Sequence, residues 1–215
     1  MIDYERMTSF IKSYIKDDEE ELYRLYCYAK ENNIPVMRET TRELIKVNLL
    51  ITKPSNVLEI GTAVGYSSLY MSKYLKDGAG ITTIELDEDR YNMAVDNIRR
   101  FGKENVINAI CGDATEVLKT LETGNFDFVF VDAAKGQYIN YLEDVLRILK
   151  KGGLMISDNV LQDGEIMESH FVVEKRNRTI HDRMREFLYT ITNDERLETA
   201  ILSVGDGVAI SVKNK

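Results

Sequence analysis

The chain has 215 residues, of which 44% are hydrophobic and 30% charged, and its formal net charge is −8 at pH 7. This composition is typical of a globular protein with one core, and no run of about 18 apolar residues predicts a membrane span. The acidic balance argues against a general nucleic-acid binder, although a local basic patch is compatible with it. Residues 1–6 lack the apolar segment of a signal peptide, so a cytoplasmic protein is expected.

Two cysteines and two histidines limit the chemistry that a site can use. Cys27 and Cys111 fit no metal-ligand spacing, and we expect both to be small buried side chains. His170 and His181 lie in one late segment. A histidine-based catalytic triad or a histidine-rich metal site is therefore not expected.

Residues 1–52 predict helices that precede the core. Apolar residues recur at helical spacing in two stripes, which are Leu22, Leu25, Tyr26 and Ala29, and then Leu44, Val47 and Ile51. The acidic run at 17–21 suits a solvated helix start. No linker composition follows, so we predict a single domain over 1–215, with a helical N-terminal cap at 1–52 and a core at 53–215.

From residue 56 onward, short apolar runs alternate with helical patterns. The predicted strands are 56–60, 81–86, 106–111, 127–132 and 153–157, and the predicted helices between them are 65–75, 88–101, 114–121 and 136–149. This alternation predicts an α/β fold with a mostly parallel, doubly wound sheet. A long helix is predicted over 171–191. Strands at 199–204 and 207–212 should then form an antiparallel hairpin.

The first strand leads into a glycine turn at residues 57–68 (VLEIGTAVGYSS), around which the rest of the core is organised. Gly61 and Gly65 let a ligand approach the backbone, and the helix that follows offers free N–H groups. Ala63 stands where a dinucleotide fingerprint needs its second glycine, which argues against a dehydrogenase. The turn resembles motif I of the class I S-adenosylmethionine methyltransferases.

Acidic residues stand where four of the predicted strands end: Glu85, Asp113, Asp132 and Asp158. Parallel strands bring their carboxyl ends to one edge of the sheet, so the charges should converge and need a cation or strong donors. We expect Glu85 to accept the hydroxyls of a ribose, or else to be an exposed loop acid. Asp113 and the N–H of Ala114 are expected to bind an adenine, or Asp113 caps the following helix.

Asp132, Asp158 and Asn159 form the most distinctive group. The fourth and fifth strands should be neighbours, so these three side chains should lie close together. Two carboxylates and an amide oxygen are hard ligands that suit Mg²⁺, with Mn²⁺ or Ca²⁺ as further possibilities. The alternative is that Asp158 and Asn159 are ordinary turn residues.

Taken together, the motifs resemble the metal-dependent O-methyltransferases of the catechol and caffeoyl-CoA type. Residues 130–135 (FVDAAK) and 156–160 (ISDNV) carry most of the resemblance. It implies a Rossmann-like, seven-stranded class I methyltransferase fold, with Asp132, Asp158 and Asn159 as metal ligands and with Lys135 and Asp132 in catalytic roles. The positions that would contact S-adenosylmethionine are Met37, Gly61, Thr62, Gly65, Ser67, Glu85, Asp113, Ala114 and Asp132.

Within this family, residues 132–138, 158–161 and 204–211 resemble the bacterial tRNA 5-hydroxyuridine methyltransferases most strongly. That resemblance predicts a wobble uridine as substrate, whose O4 and 5-hydroxyl would replace the two oxygens of a catechol. The basic segment at 175–185 would contact phosphates, or it is a solvated helix face. The candidate substrate contacts are Tyr138, Arg38, Arg176 and Arg178; for Tyr138 the alternative is a place in the core.

Two other functions stay open at this point. One is a small-molecule catechol O-methyltransferase. The other is a non-catalytic module that binds S-adenosylmethionine or a nucleotide, against which the intact set of Asp132, Lys135, Asp158 and Asn159 argues. The resemblance also implies a homodimer, for which the N-terminal helices are the expected interface.

Overall fold

The computed structural model describes residues 4–215, with only the backbone of residue 163, so the first three residues of the predicted cap lie outside it. A seven-stranded sheet in the order β3-β2-β1-β4-β5-β7-β6 forms its centre. The strands are β1 (Asn56–Ile60), β2 (Gly80–Glu85), β3 (Ile107–Cys111), β4 (Phe126–Val131), β5 (Leu149–Ser157), β6 (Leu197–Leu202) and β7 (Val208–Lys213). β1 to β5 pair in parallel, whereas β7 is antiparallel to both β5 and β6. The predicted fold class is confirmed.

Helices precede the sheet and cover both of its faces. They are α1 (Tyr4–Lys12), α2 (Glu20–Glu31), α3 (Glu39–Thr52), α4 (Tyr66–Ser72), α5 (Glu88–Arg100), α6 (Ala114–Thr120), α7 (Tyr138–Ile148) and α8 (Arg178–Asn193). Short 3₁₀ helices occur at Lys135–Gln137 and Gln162–Met167. Within residues 4–215, no helix has the length and apolar content that crossing a membrane requires.

The central strands are buried on both faces, which explains why their sequences are continuous apolar runs. Successive side chains of a strand point to opposite faces. Leu58 and Val129 therefore pack with α6, α7 and α8, whereas Val57 and Phe128 pack with the helices α2 to α5. All four side chains are completely buried. This two-sided core holds the carboxyl ends of β1, β4 and β5 in a fixed register.

The predicted apolar stripe of α3 is confirmed at Leu44, which is partly buried against the core, and is wrong at Val47 and Ile51. Val47 and Ile51 are 48% and 73% exposed, while Ile45 and Leu49 face the core. The buried face also contains Arg42, whose guanidinium donates a 2.6 Å hydrogen bond to Asp18. Apolar residues occur at helical spacing on both faces of α3, so spacing alone does not show which face is buried. The ion pair with Asp18 allows Arg42 to lie on the buried face.

The long C-terminal helix begins at Arg178, so the predicted start at residue 171 is also wrong. Phe171 and Val172 are 85% and 71% exposed. The side chain of Arg178 donates to the backbone carbonyls of Val173 and Phe171, at 3.1 and 3.3 Å. These bonds satisfy carbonyl groups outside the helix, so residues 168–177 can form a loop that packs beside it.

The expectation of two buried cysteines is not met. Cys27 is half-buried and Cys111 is exposed. Cys111 is the last residue of β3, an edge strand of the sheet, where fewer neighbours cover the side chains.

Candidate active site

The carboxyl ends of β1, β4 and β5 are joined by backbone hydrogen bonds that continue beyond the strands. The amide of Asp132 donates to Ile60, and the amide of Asp158 donates to Val131, both at 2.9 Å. Gly61 follows β1 with φ of +104°, and a Cβ there would lie 2.0 Å from the carbonyl oxygen of Asp132. Only glycine fits this turn, because any other side chain would overlap with the backbone of the neighbouring strand.

A cavity of about 810 Å³ opens at this edge of the sheet. Its volume is that of a site for one or two small organic ligands. Its wall contains nearly all of the residues that the sequence predicted to contact the cofactor, together with Lys135 and Asn159. The nominated residues in its wall are Met37, Gly61, Thr62, Ser67, Glu85, Asp113, Ala114 and Asp132.

Gly65 is the exception among the nominated cofactor residues. It caps the N-terminus of α4 in a left-handed conformation, with φ of +82°. A Cβ at this position would face Ala94 of α5 at 3.4 Å, and Gly65 is not part of the cavity wall. Its conformation lets α4 start tightly after the turn, and its contact with the cofactor stays a prediction.

Backbone amides hold the Glu85 carboxylate in the wall of the cavity. Its two oxygens accept hydrogen bonds from the amides of Ala63, at 2.8 Å, and Asp87, at 3.0 Å. The side chain is largely buried. This carboxylate is thus fixed in orientation, rather than being a free loop acid, and its remaining acceptor capacity faces the cavity.

Asp113 caps α6 and lines the cavity as well. Its carboxylate accepts from the amide and the hydroxyl of Thr115, at 2.8 and 2.7 Å. These hydrogen bonds, the one from the hydroxyl first, lower the pKa of Asp113. The capping role expected as an alternative is therefore observed, and it leaves Asp113 and Ala114 in the cavity wall.

The three nominated metal ligands lie together at the ends of β4 and β5. The Asn159 amide nitrogen donates to Asp132 Oδ1 at 2.8 Å. Asp158 Oδ1 accepts from the Asn159 backbone amide at 2.8 Å and from the Thr41 hydroxyl at 3.4 Å. Burial raises the pKa of Asp132 to about 6. It raises the pKa of Asp158 to about 7, with a further contribution from the charge of Asp132.

The donor set of this group fits a divalent cation. Two neighbouring carboxylates that are costly to ionise gain most from a cation between them. A half-turn of the Asn159 side-chain amide would present its oxygen in place of the nitrogen, giving an all-oxygen ligand set. Asn159 also has φ of +59°, a left-handed conformation that asparagine tolerates and that often marks functional sites.

Lys135 reaches the same edge from the 3₁₀ helix that follows β4. Its ammonium lies 3.3 Å from Asp206 Oδ2. Asp206 is almost completely buried in the loop between β6 and β7, and Arg38 lies 3.7 Å from the same oxygen. The C-terminal hairpin thus orients the lysine beside Asp132, its neighbour across the cavity wall.

Three of the four nominated substrate contacts are placed elsewhere. Tyr138 is 1% exposed, and its hydroxyl donates to the backbone oxygen of Asp158 at 3.0 Å, so it supports the strand ends and cannot stack on a base. Arg176 pairs with Glu174 at 2.8 Å, away from the cavity. Arg178 donates hydrogen bonds to backbone carbonyls of the loop before α8 and is not part of the cavity wall. Arg38 lies 3.7 Å from Asp206, the same carboxylate that Lys135 contacts.

Part of the cavity wall was not identified from the sequence. It includes Pro35, Val36, Tyr66, Ile84, Leu86, Asp87, Arg90, Gln137 and Tyr141. Leu86 could have been noticed, because it is an apolar residue directly after the strand-end Glu85, and it is 69% exposed. Tyr141 lies one turn after Tyr138 on α7, where helical periodicity gives no sign that one tyrosine faces the core and the other the cavity.

Comparison with known proteins places the chain in a family. The model of the O-methyltransferase family matches residues 12–214, and the protein belongs to that family. Tapetum-specific methyltransferase 1 of Arabidopsis thaliana is 30% identical over 199 residues, covering 91% of this chain and 84% of that protein. The caffeoyl-CoA O-methyltransferase of Stellaria longipes is 33% identical over 174 residues, covering 77% and 71%.

The chain is also similar to a solved structure whose description names the same kind of enzyme. A putative caffeoyl-CoA O-methyltransferase from Staphylococcus aureus superposes with a TM-score of 0.88 at 30% identity, covering 98% of this chain and all of that one. The protein is thus an O-methyltransferase with the Rossmann-like fold that the motifs implied.

Proposed function

We propose that this protein transfers the methyl group of S-adenosylmethionine to one of two vicinal oxygens on a small, catechol-type phenol. The observation that carries the proposal is the convergence of Lys135, Asp132 and Asn159 on the wall of one cavity beside the glycine turn. Family membership supports the reaction class, and the caffeoyl-CoA relatives support a phenolic acceptor.

The half of the cavity near β1, β2 and β3 would hold the methyl donor. Glu85, held by two backbone amides, has the geometry to accept both ribose hydroxyls. The exposed side chain of Leu86 would cover one face of the purine, while Asp113 accepts from its amino group. Gly61 leaves room for the rest of the donor to pass close to the backbone.

The other half would hold the phenol. A divalent cation at Asp132, Asp158 and Asn159 would bind both vicinal oxygens and lower the pKa of the hydroxyl that reacts. Lys135, held by Asp206, is placed to stabilise the oxyanion as an ammonium or, as a neutral amine, to take the proton of that hydroxyl. The remaining task of the protein is to align this oxygen with the methyl group.

The tRNA substrate that the motifs suggested is not part of this proposal. Two of the arginines in the basic segment bind backbone carbonyls of the protein: Arg183 donates to Gly136 and Arg185 to Ile166. Tyr138, the candidate stacking residue, is buried. Among the relatives described above, two are named for caffeoyl-CoA and the name of the third gives no substrate. These observations favour the small-molecule alternative.

Methyl transfer from labelled S-adenosylmethionine tests the proposal. We expect EDTA-sensitive methylation of 3,4-dihydroxybenzoate or caffeoyl-CoA, and none of the matched monohydroxy compound. Methylation of tRNA containing 5-hydroxyuridine, with no turnover on either phenol, would replace the small-molecule substrate by the tRNA. Activity that is insensitive to EDTA would contradict the metal site.

We also propose that the protein is a homodimer built on α1 and α3. No residue of α1 is buried, and Phe10 and Ile11 are 63% and 45% exposed. Leu50 and Ile51 of α3 add to the same kind of surface, at 51% and 73% exposure. A second copy of the chain is the partner proposed for these apolar side chains.

A further inference from the structure

Both histidines of the chain meet at one carboxylate, outside the cavity described above. His170 lies in the loop before α8, while His181 and Asp182 lie in its first turns. The Nδ1 atoms of His170 and His181 are 2.8 and 3.1 Å from the same oxygen, Asp182 Oδ1. One possible ligand atom from each of the three residues lies within 4.8 Å of the others.

The surroundings of His181 define which of its nitrogens is free. The ring is 1% exposed, and Nε2 lies 3.2 Å from the backbone oxygen of Glu168. A carbonyl oxygen can only accept, so Nε2 carries a proton. In a neutral ring, Nδ1 then has a lone pair, and this lone pair faces the carboxylate of Asp182. Such a contact is repulsive unless a second proton or a metal ion lies between the two atoms.

We propose that His170, His181 and Asp182 form a second metal site, for a transition metal such as Zn²⁺. Imidazole nitrogens prefer this class of ion, whereas the oxygen ligands in the cavity prefer Mg²⁺. A hydrogen bond from the second ring nitrogen to a backbone carbonyl, as His181 makes to Glu168, is the usual way in which a metal-binding histidine is oriented. Three protein ligands leave a fourth position for water or for another ligand.

The site would connect two segments, one of which packs against the segment that carries Lys135. A metal there would tie the 168–177 loop to α8. The same part of α8 packs against the 3₁₀ helix that carries Lys135, because Arg183 donates to the Gly136 carbonyl at 3.2 Å and Ile180 lies beside Gly136. Metal binding would therefore stabilise the support of the catalytic segment without contributing a group to the reaction.

The chain has only two histidines, so NMR signals of the imidazole rings report on this site alone. We would titrate the untagged protein with Zn²⁺ in the presence of excess Mg²⁺, recording ring nitrogen and carbon-bound proton resonances. We expect both Nδ1 resonances to shift together and to saturate at one equivalent. Amides of the 168–177 loop should become more protected from hydrogen exchange.

Two variants at partly exposed positions provide the test of ligand identity. His170→Gln and Asp182→Asn should each weaken the response of His181 to Zn²⁺ by at least about tenfold. Glu186→Gln, which removes the same charge from the same helix, should bind Zn²⁺ as the wild type does. If either ring fails to respond, or if Asp182→Asn binds Zn²⁺ with unchanged affinity, the proposal is wrong. The result does not depend on methyl transfer, so it is separate from the test of the proposed function.

Discussion

At the scale of single residues, the active site depends on the position of one ammonium group. Lys135 is 3.3 Å from a buried aspartate and lines the cavity between Ala134 and Gln137. Replacing it by methionine keeps the length of the side chain but removes the nitrogen, which as an ammonium would stabilise the oxyanion and as a neutral amine would take the proton. General acid–base groups contribute about 10²- to 10⁴-fold to a rate, so kcat should fall by that factor while the affinity for S-adenosylmethionine is retained.

The measurement is steady-state kinetics on the phenolic substrate together with calorimetric binding of the methyl donor. Lys151→Met is a suitable control, because Lys151 is exposed and lies in the amino-terminal half of β5, away from the cavity. A Lys135→Met enzyme with kcat within threefold of the wild type would remove Lys135 from the catalytic role.

The raised pKa values of Asp132 and Asp158 lead us to expect that protons are released when a metal ion binds. Their pKa values are raised to about 6 and about 7 in the metal-free protein. A proton must leave before a carboxylate can bind the cation, so affinity for Mg²⁺ should rise as pH increases through this range and level off above it.

Calorimetric titration with Mg²⁺ in two buffers of different ionisation heat measures that release directly. The number of protons released per ion should be larger at pH 6 than at pH 8. In Asp158→Asn, metal binding should be weak at both values. Equal binding heats in the two buffers at pH 6 would contradict the assignment.

Glu59 predicts a pH dependence of stability. It is completely buried in β1, and burial raises its pKa from 4.5 to about 7, although Ser68 and Thr83 donate hydrogen bonds to it. A carboxyl group with a raised pKa in the folded state favours folding at low pH. Its contribution is complete below pH 4.5 and is lost as pH rises towards 7.

Glu59→Gln keeps the shape of the side chain and removes the charge. The difference in free energy of unfolding between the variant and the wild type should change in favour of the variant by up to about 3 kcal/mol between pH 4.5 and 7. Urea unfolding at several pH values measures this difference. A constant difference over the range would show that Glu59 does not titrate there.

At the scale of secondary-structure elements, the strands could be predicted because burial on both sides leaves an unbroken apolar run. Four of the five parallel strands end within two residues of the acidic residues that marked their predicted ends, which are Glu85, Asp113, Asp132 and Asp158. Helix faces were less predictable. The buried side of α3 depends on Arg42 meeting Asp18, and the start of α8 depends on Arg178 binding loop carbonyls. Side-chain partners of this kind leave no periodic signal.

The turn between β1 and α4 makes the strictest demand on its sequence. Gly61→Ala would place a methyl carbon 2.0 Å from the carbonyl oxygen of Asp132, which is too close for two unbonded atoms. It would also strain a backbone with φ of +104°. We expect a loss of about 1–3 kcal/mol from the strained backbone alone, and weaker metal binding because Asp132 is displaced.

Gly78→Ala separates these two effects. Gly78 has φ of +79°, but a Cβ there meets no atom within 4 Å. It should lose stability through backbone strain and keep its affinity for Mg²⁺. Unfolding and metal titrations of both variants make the comparison. If Gly61→Ala bound Mg²⁺ as well as Gly78→Ala does, the close approach would not be what positions Asp132.

At the scale of the whole molecule, the packing of α1 is incomplete. The single chain buries none of α1 between Tyr4 and Lys12, and Lys12 attaches it to Glu39 by a 2.7 Å ion pair. A helix with this many exposed aromatic and aliphatic residues gains stability only if another surface covers it, and stable interfaces bury about 1,200–2,000 Å² in total.

The homodimer predicts that charges in this surface cause dissociation. Phe10→Glu and Ile51→Glu each place a carboxylate where apolar contact is expected, so each should shift the protein from dimer to monomer in size-exclusion chromatography with light scattering. Tyr189→Glu is the matched control, because Tyr189 is 71% exposed on α8 and outside the proposed interface.

A wild-type protein that is monomeric at the highest concentration tested would contradict the dimer. In that case, the two glutamate variants should leave both mass and methyl transfer unchanged. If the dimer forms, loss of activity together with dissociation would show that the N-terminal helices help to hold Met37 in the cavity wall, since this residue lies two positions before α3.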